Sequence, residues 1–166
     1  MTRDPSRTIV QHTADALALV RPTAPADTPL EDAVGAVLAA DVVSALDAPA
    51  FDASAMDGYA VRAQDVAGAT PSAPVVLRVV GDVAAGDAGP PGLDGGLGPG
   101  EAVRIMTGAP VPPGADAVVP VERTSTGRFT PGAAGSGPTT VAVHDASRTH
   151  VRTRGEDVRR GDGVVA

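Results

Sequence analysis

Apolar residues at Ile9, Val10, Ala14, Leu17 and Val20 recur near helical spacing, and Arg21-Pro22 closes the run. This predicts a helix over residues 8–20. A second helix is predicted from residue 28. Thr28 suits the N-cap, Pro29 the first turn and Glu31 a capping box, and Val34, Val37 and Leu38 extend the apolar face across a mild fault at Gly35. Residues 41–44 read as a short strand. From residue 48 to about 121 the period changes, and short apolar runs at 59–62, 74–80, 102–106 and 117–121 are separated by Gly and Pro. Further strands are predicted at 139–143 and 150–154. The Gly/Pro-rich stretches 87–100 and 130–138 read as mobile loop tips without chemistry. The fold class is therefore α+β, mostly β, with two N-terminal helices.

Composition narrows this picture. The 166 residues suffice for one compact domain or two small ones. Only 2% are aromatic, so the core must be built from Val, Ala, Leu, Ile and Met. The 20 glycines and 16 prolines favour short strands and many turns over long helices. There is no cysteine, which removes disulfides and thiolate metal sites from consideration. No window is long and apolar enough to span a bilayer, and the cytoplasm is the default location. Every basic side chain is Arg and the net charge is −7, a poor balance for binding nucleic acid or an anionic membrane. An anionic substrate would need local help from arginines or a divalent cation.

Three segments carry candidate chemistry. The first, Pro49-Ala-Phe-Asp-Ala-Ser-Ala-Met-Asp-Gly-Tyr-Ala-Val-Arg62, places Asp52, Ser54, Met56 and Asp57 ahead of a strand. Asp57-Gly58 reads as a turn, with Gly58 supplying φ > 0. Such a turn serves equally a plain hairpin or the presentation of Asp57 to a ligand. The second, Arg104-Ile-Met-Thr-Gly-Ala-Pro-Val-Pro112, ends an apolar run with the Thr107 hydroxyl, beside Gly108, whose missing side chain allows close backbone approach. The third, residues 152–162, crowds four arginines and three carboxylates around two glycines. Other patterns carry little. Arg160-Gly161-Asp162 is an adhesion tripeptide by chance, His12, His144 and His150 lack metal-ligand spacing, and Gly81 to Gly89 lacks the ending of a phosphate loop.

Taken together, Ser54-Ala-Met-Asp-Gly-Tyr-Ala-Val61, Arg104-Ile-Met-Thr-Gly-Ala-Pro-Val-Pro112 with Gly114-Ala-Asp-Ala-Val-Val119, and Arg154-Gly-Glu-Asp157 resemble the N-terminal half of the MoeA family, the molybdopterin molybdenumtransferases that include the gephyrin E domain. The resemblance runs from about residue 9 to 165. It implies a β-barrel-like domain (48–137) inserted into an elongated α/β linker and dimerisation domain (22–47 and 138–166). The helix within 1–21 would pack on a later molybdopterin-binding domain. The sequence stops where the family continues into that domain, so these residues alone are expected to be inactive.

The implied reaction joins molybdate to the dithiolene of adenylylated molybdopterin and releases AMP. By the same resemblance Asp57, Thr107 and Asp157 are the candidate catalytic residues, and Ser54, Gly108, Arg152 and Arg154 the candidate substrate-binding residues. Asp57 would hold Mg²⁺, because a carboxylate repels a phosphoanhydride unless a cation stands between them, or would position a water. Ser54 and Met56 also suit a purely local role in shaping the turn, and Arg152 and Arg154 suit plain salt bridges with Glu156 and Asp157. The implied partners are a second copy, a molybdopterin adenylyltransferase and molybdoenzyme chaperones. A non-catalytic dimerisation or scaffold module of the same family is the alternative.

Overall fold

A computed structural model describes residues 8–87, 95–128, 139–146 and 148–165. The chain divides into two compact units, one ending at Asp41 and the other spanning Val42–Val165. The predicted loop at 130–138 lies outside the described residues, as does 88–94 of the loop predicted at 87–100.

In the first unit the predicted helix forms as α1 (Ile9–Leu19). Thr8 caps it: its hydroxyl accepts from the Gln11 N–H at 3.2 Å, and the Gln11 side chain accepts from the Thr8 N–H at 2.9 Å. This reciprocal pairing is a capping box that satisfies two otherwise unpaired donors. The second helix does not form. Pro29 is extended (φ −52°, ψ 144°) with no side-chain cap, and only a single 3₁₀ turn follows at Leu30–Asp32. Gly35 then takes φ +87°, which ends any helical path. Val34 and Val37 are 91% and 95% exposed, so the apolar stripe gains no packing to offset the cost of helix nucleation.

The second unit is mostly β. Its main sheet contains β3 (Gly58–Val61), β4 (Val75–Val83), β5 (Glu101–Ile105), β6 (Ala117–Pro120) and β7 (Thr140–Val143). They lie in the order β6-β3-β5-β4-β7, antiparallel except for the β4–β5 pair, as a curled half-barrel. Side chains alternate between the two faces, as the period of a strand requires. Tyr59, Val61, Leu77, Ala102, Val119 and Val141 belong to one buried cluster. Ala60, Val83, Val103, Ile105 and Val118 belong to another. With both faces covered, β3 and β6 are buried along their whole length, which is why they read as unbroken apolar runs. The end of the predicted 87–100 loop is not idle, because Leu97 is buried against the second cluster and its N–H donates to the Pro113 carbonyl at 2.7 Å.

Outside this sheet, β1 (Val42–Val43) pairs with β9 (Gly163–Val165), and β2 (Ala53–Ser54) pairs with β8 (Val151–Arg152). These nested pairings bring the segment before the sheet against the segment after it, and they set up the site.

Candidate functional site

The segment around Asp52 to Asp57 runs as the middle member of a three-segment strip. On one side it meets the Thr107 segment: the Val111 N–H donates to the Asp52 carbonyl, the Ser54 N–H to the Ala109 carbonyl and the Gly108 N–H to the Ser54 carbonyl, each at 2.9 Å. On the other side Ala53 pairs with Arg152 and Ser54 with Val151, and the Ala55 N–H donates to the His150 carbonyl at 2.9 Å. All three sequence motifs therefore share one hydrogen-bonded frame.

At one end of the strip, Asp57 and Thr107 meet directly. Asp57 Oδ1 accepts from the Thr107 N–H at 2.7 Å and from its hydroxyl at 2.9 Å. Both residues are exposed. The two donors fix the carboxylate by one oxygen and leave Oδ2 without a hydrogen-bond partner among the described residues. The Thr107 hydroxyl, a candidate catalytic group by resemblance, here donates to Asp57.

The two glycines beside them exchange the roles expected from sequence. Gly58 is not in the left-handed region; it is the first residue of β3, and an added Cβ would lie 2.0 Å from the Val119 carbonyl oxygen. Its need is close approach of a neighbouring strand. Gly108 takes φ +80° with nothing within 4 Å of where a Cβ would stand, so its need is backbone conformation rather than space. Ser54 is 1% exposed, and its hydroxyl donates to the Met56 carbonyl at 2.5 Å. The geometry gives it a local turn-shaping contact and no surface for a ligand.

The third motif lies further along the strip, in a cluster of charges. Arg152 is held twice, through Nε by Glu156 at 3.1 Å and through Nη2 by Asp157. Asp157, then Glu156, raise the Arg152 pKa above its usual range. The Thr153 N–H, then Arg152, hold Glu156 below the ordinary carboxylate range. Arg154 differs: its Nε donates to Asp47 at 2.6 Å, and its N–H donates to Asp52 Oδ1 at 2.8 Å. Asp47 also accepts the Arg160 N–H at 2.8 Å, and that bond, followed by Arg154, lowers its pKa. The backbone of Asp157 docks on the same frame, its N–H donating to the Ala48 carbonyl at 3.0 Å. Asp57 with Thr107, and Arg152 with Arg154 and Asp157, are thus two groups on one frame rather than one contact cluster.

A model of the MoeA N-terminal region, domains I and II, matches residues 7–166. The chain belongs to the MoeA family. Among relatives, a molybdopterin molybdenumtransferase 2 of Mycobacterium tuberculosis is 44% identical over 161 residues, which cover 96% of this chain and 36% of that protein. A molybdopterin molybdenumtransferase of Synechococcus elongatus is 39% identical over 138 residues, covering 83% of this chain and 32% of that one. A MoeA structure from Pyrococcus horikoshii aligns with a TM-score of 0.68 at 33% identity, covering 83% of this chain and 33% of that one. This MoeA chain thus spans about a third of the length of the curated relatives it matches.

Sequence reasoning gave no role to three residues of this MoeA frame. Asp47 and Asp52 work by accepting N–H groups from residues more than 100 positions away, a relation with no local spacing to reveal it. His150 is the third. It takes φ +46°, and its buried Nε2 finds no hydrogen-bond partner among the described residues. Among the described residues no three His, Asp or Glu side chains gather as a metal cage, and no helix is long and apolar enough to cross a membrane.

Proposed function

We propose that this chain is the N-terminal part of a molybdenum insertase, which transfers molybdate into adenylylated molybdopterin with release of AMP. Family membership supports the pathway, and the observation that carries the site is the Asp57–Thr107 contact within a frame shared by all three motifs. Thr107 holds Asp57 Oδ1, so that Oδ2 is offered in a fixed direction to the reacting groups. Mg²⁺ commonly takes one or two carboxylates and completes its shell with phosphate oxygens and water. Asp57 fits as its single protein ligand here, and the ion would offset charge on the phosphoanhydride. Asp157 acts from the charged cluster, where its carboxylate orients Arg152. The nested strand pairings fit the family's inserted β domain, with 48–137 between the two linker segments.

The test is conversion of adenylylated molybdopterin and molybdate to cofactor by the full-length gene product. Asp57→Asn is expected to lower turnover by about a hundredfold, in line with loss of a positioned electrostatic group. Wild-type turnover in that variant removes Asp57 from the chemistry.

A second role, as a dimerisation module, draws on one feature. The β1–β9 ribbon exposes Val42, Val43, Val164 and Val165 at 44–58%, and a two-stranded ribbon is marginal in water on its own. Light scattering tests it, and a strictly monomeric protein at high micromolar concentration counts against it.

A further inference from the structure

We infer that His150 is a positioning residue for Asp57: its left-handed backbone fixes the carbonyl that holds the Ala55 end of the Asp57 loop. The inference deepens the proposed insertase reading and rests on it for the chemistry that Asp57 performs.

His150 stands apart from the rest of the fold in two ways. It takes φ +46°, and every other described residue with a positive φ is a glycine. A side chain at such an angle crowds the adjoining carbonyl, which is why L residues other than Asn, Asp and His rarely adopt it. Its Nε2 is also the single buried side-chain nitrogen or oxygen among the described residues that lacks a hydrogen-bond partner. Buried polar groups are almost always paired, so the fold bears a second cost at the same residue. Strained conformations persist where their surroundings over-determine them, and the surroundings of His150 are the frame of the site.

The backbone at His150 ties the main sheet to the strip. The Thr149 carbonyl accepts the Val118 N–H of β6 at 2.6 Å, and the His150 carbonyl accepts the Ala55 N–H at 2.9 Å. Val151 then pairs with Ser54 in β8. The Asp57 loop is thus held at Ala55 by His150, at the Asp57 carbonyl by the Val121 N–H, and at the Asp57 carboxylate by Thr107. Only Met56 lies between Ala55 and Asp57, so a displaced His150 carbonyl acts on the carboxylate through one residue. If φ at position 150 relaxed to a negative value, that carbonyl would turn away from Ala55 while Thr149 stayed on β6. Asn holds the left-handed angle as His does, and Gly holds it because it has no Cβ. Glycine also reaches many other angles, so it supplies the shape without the rigidity. A β-branched residue does not fit.

The test uses the full-length gene product carrying His150→Val, with His150→Ala as the milder variant should the valine protein not fold. Turnover of adenylylated molybdopterin and molybdate is expected to fall about tenfold or more in kcat for His150→Val, with KM little changed, the scale of a slightly misplaced reacting group. His150→Ala is expected to lose less, His150→Asn to match the parent and His150→Gly to fall between them. Position is read separately from activity by the Thr107 amide resonance in protein carrying isotope-labelled threonine, assigned by its loss in Thr107→Ser. That N–H donates to the Asp57 carboxylate at 2.7 Å, a charged bond that holds the proton downfield. It is expected to move upfield in His150→Val and His150→Ala and to stay in place in His150→Asn. The Thr70 amide, bonded to the Ala73 carbonyl in a separate turn, is expected not to move in any of them. A residue that served stability alone would lower the melting temperature and leave the Thr107 signal of the folded protein where it was.

A Thr107 resonance that stays put in the folded His150→Val or His150→Ala protein overturns the inference. So does an asparagine variant as impaired as the valine or alanine one, which would place the role in the imidazole rather than in the backbone. Movement of the resonance in step with the backbone angle, in a protein whose wild type shows no insertase turnover, would instead sink the proposed reaction and leave the positioning of Asp57 standing.

Discussion

Gly58→Ala is the sharpest probe of the frame. The added methyl carbon would stand 2.0 Å from the Val119 carbonyl oxygen, 2.9 Å from its carbonyl carbon and 3.0 Å from Pro120 Cα, where ordinary contact begins at 3.4 Å. All three are main-chain atoms of β6, so no side chain can swing aside. The strands must separate by more than 1 Å, through the register pairs Gly58↔Pro120 and Tyr59↔Val119. The Val121 N–H bond to the Asp57 carbonyl, at 3.0 Å, lies in the same place. Overpacking strain and the loss of one or two ladder hydrogen bonds together amount to about 3–5 kcal/mol. That is a large share of the stability of a domain, and at about 2–4 °C per kcal/mol for this size it lowers the melting temperature by about 10 °C. Tyr59 is the only tyrosine and there is no tryptophan, so intrinsic fluorescence reports on the affected strand itself. Gly108→Ala is the control: it meets no atom within 4 Å but must keep φ +80°, a strain of about 1–2 kcal/mol. A Gly58→Ala protein melting within 2 °C of its parent, or below Gly108→Ala in cost, would refute the assigned roles.

Three other expectations follow from separate features. Arg104, 9% exposed, pairs across β4 and β5 with Asp82; Arg104→Ala breaks this largely buried pair and is expected to cost about 3 kcal/mol in urea denaturation, while replacing both residues by Leu recovers most of the loss. Asp47 has a folded pKa below its unfolded one, so its contribution is present at neutral pH and lost as pH falls below about 4. The stability gap between wild type and Asp47→Asn should therefore narrow in acid melts, and a gap that widens there reverses the sign of the argument. Thr8→Ala removes the capping box and is expected to weaken α1 by about 1 kcal/mol, read as reduced helical ellipticity at low temperature.

The elements legible in the sequence were those whose burial is local in pattern. The 117–121 run corresponds to β6, apolar throughout because both its faces are covered, and the 102–106 run to β5, apolar there except for Arg104. The helix at residue 28 misled because capping residues and spacing describe only what a helix offers, whereas its formation depends on something to pack against. β2 and β9 were invisible for the opposite reason. Each is two or three residues long and exists only through a partner about 100 or more positions distant. At the site, Asp57 and Thr107 were named by resemblance to the family, and the structure brings them into contact. Their glycines were named for the wrong reasons, since neither close approach nor backbone angle can be read from a Gly alone. Asp47 goes unmarked in the sequence and Asp52 carries no assigned role there, because an acceptor for a remote main-chain N–H looks like any other surface aspartate.

The reach of these contacts along the chain gives the site an order of assembly. The Asp57–Thr107 bond joins residues 50 positions apart, whereas Asp52 reaches Arg154 across 102 and Asp47 reaches Arg160 across 113. A nascent chain emerging from the ribosome at roughly 5–20 residues per second can close the first contact several seconds before the last arginines appear. A ribosome stalled ahead of Val151 would release a product whose central sheet is complete and whose aspartate and threonine are in place, but whose charged cluster has not yet been made.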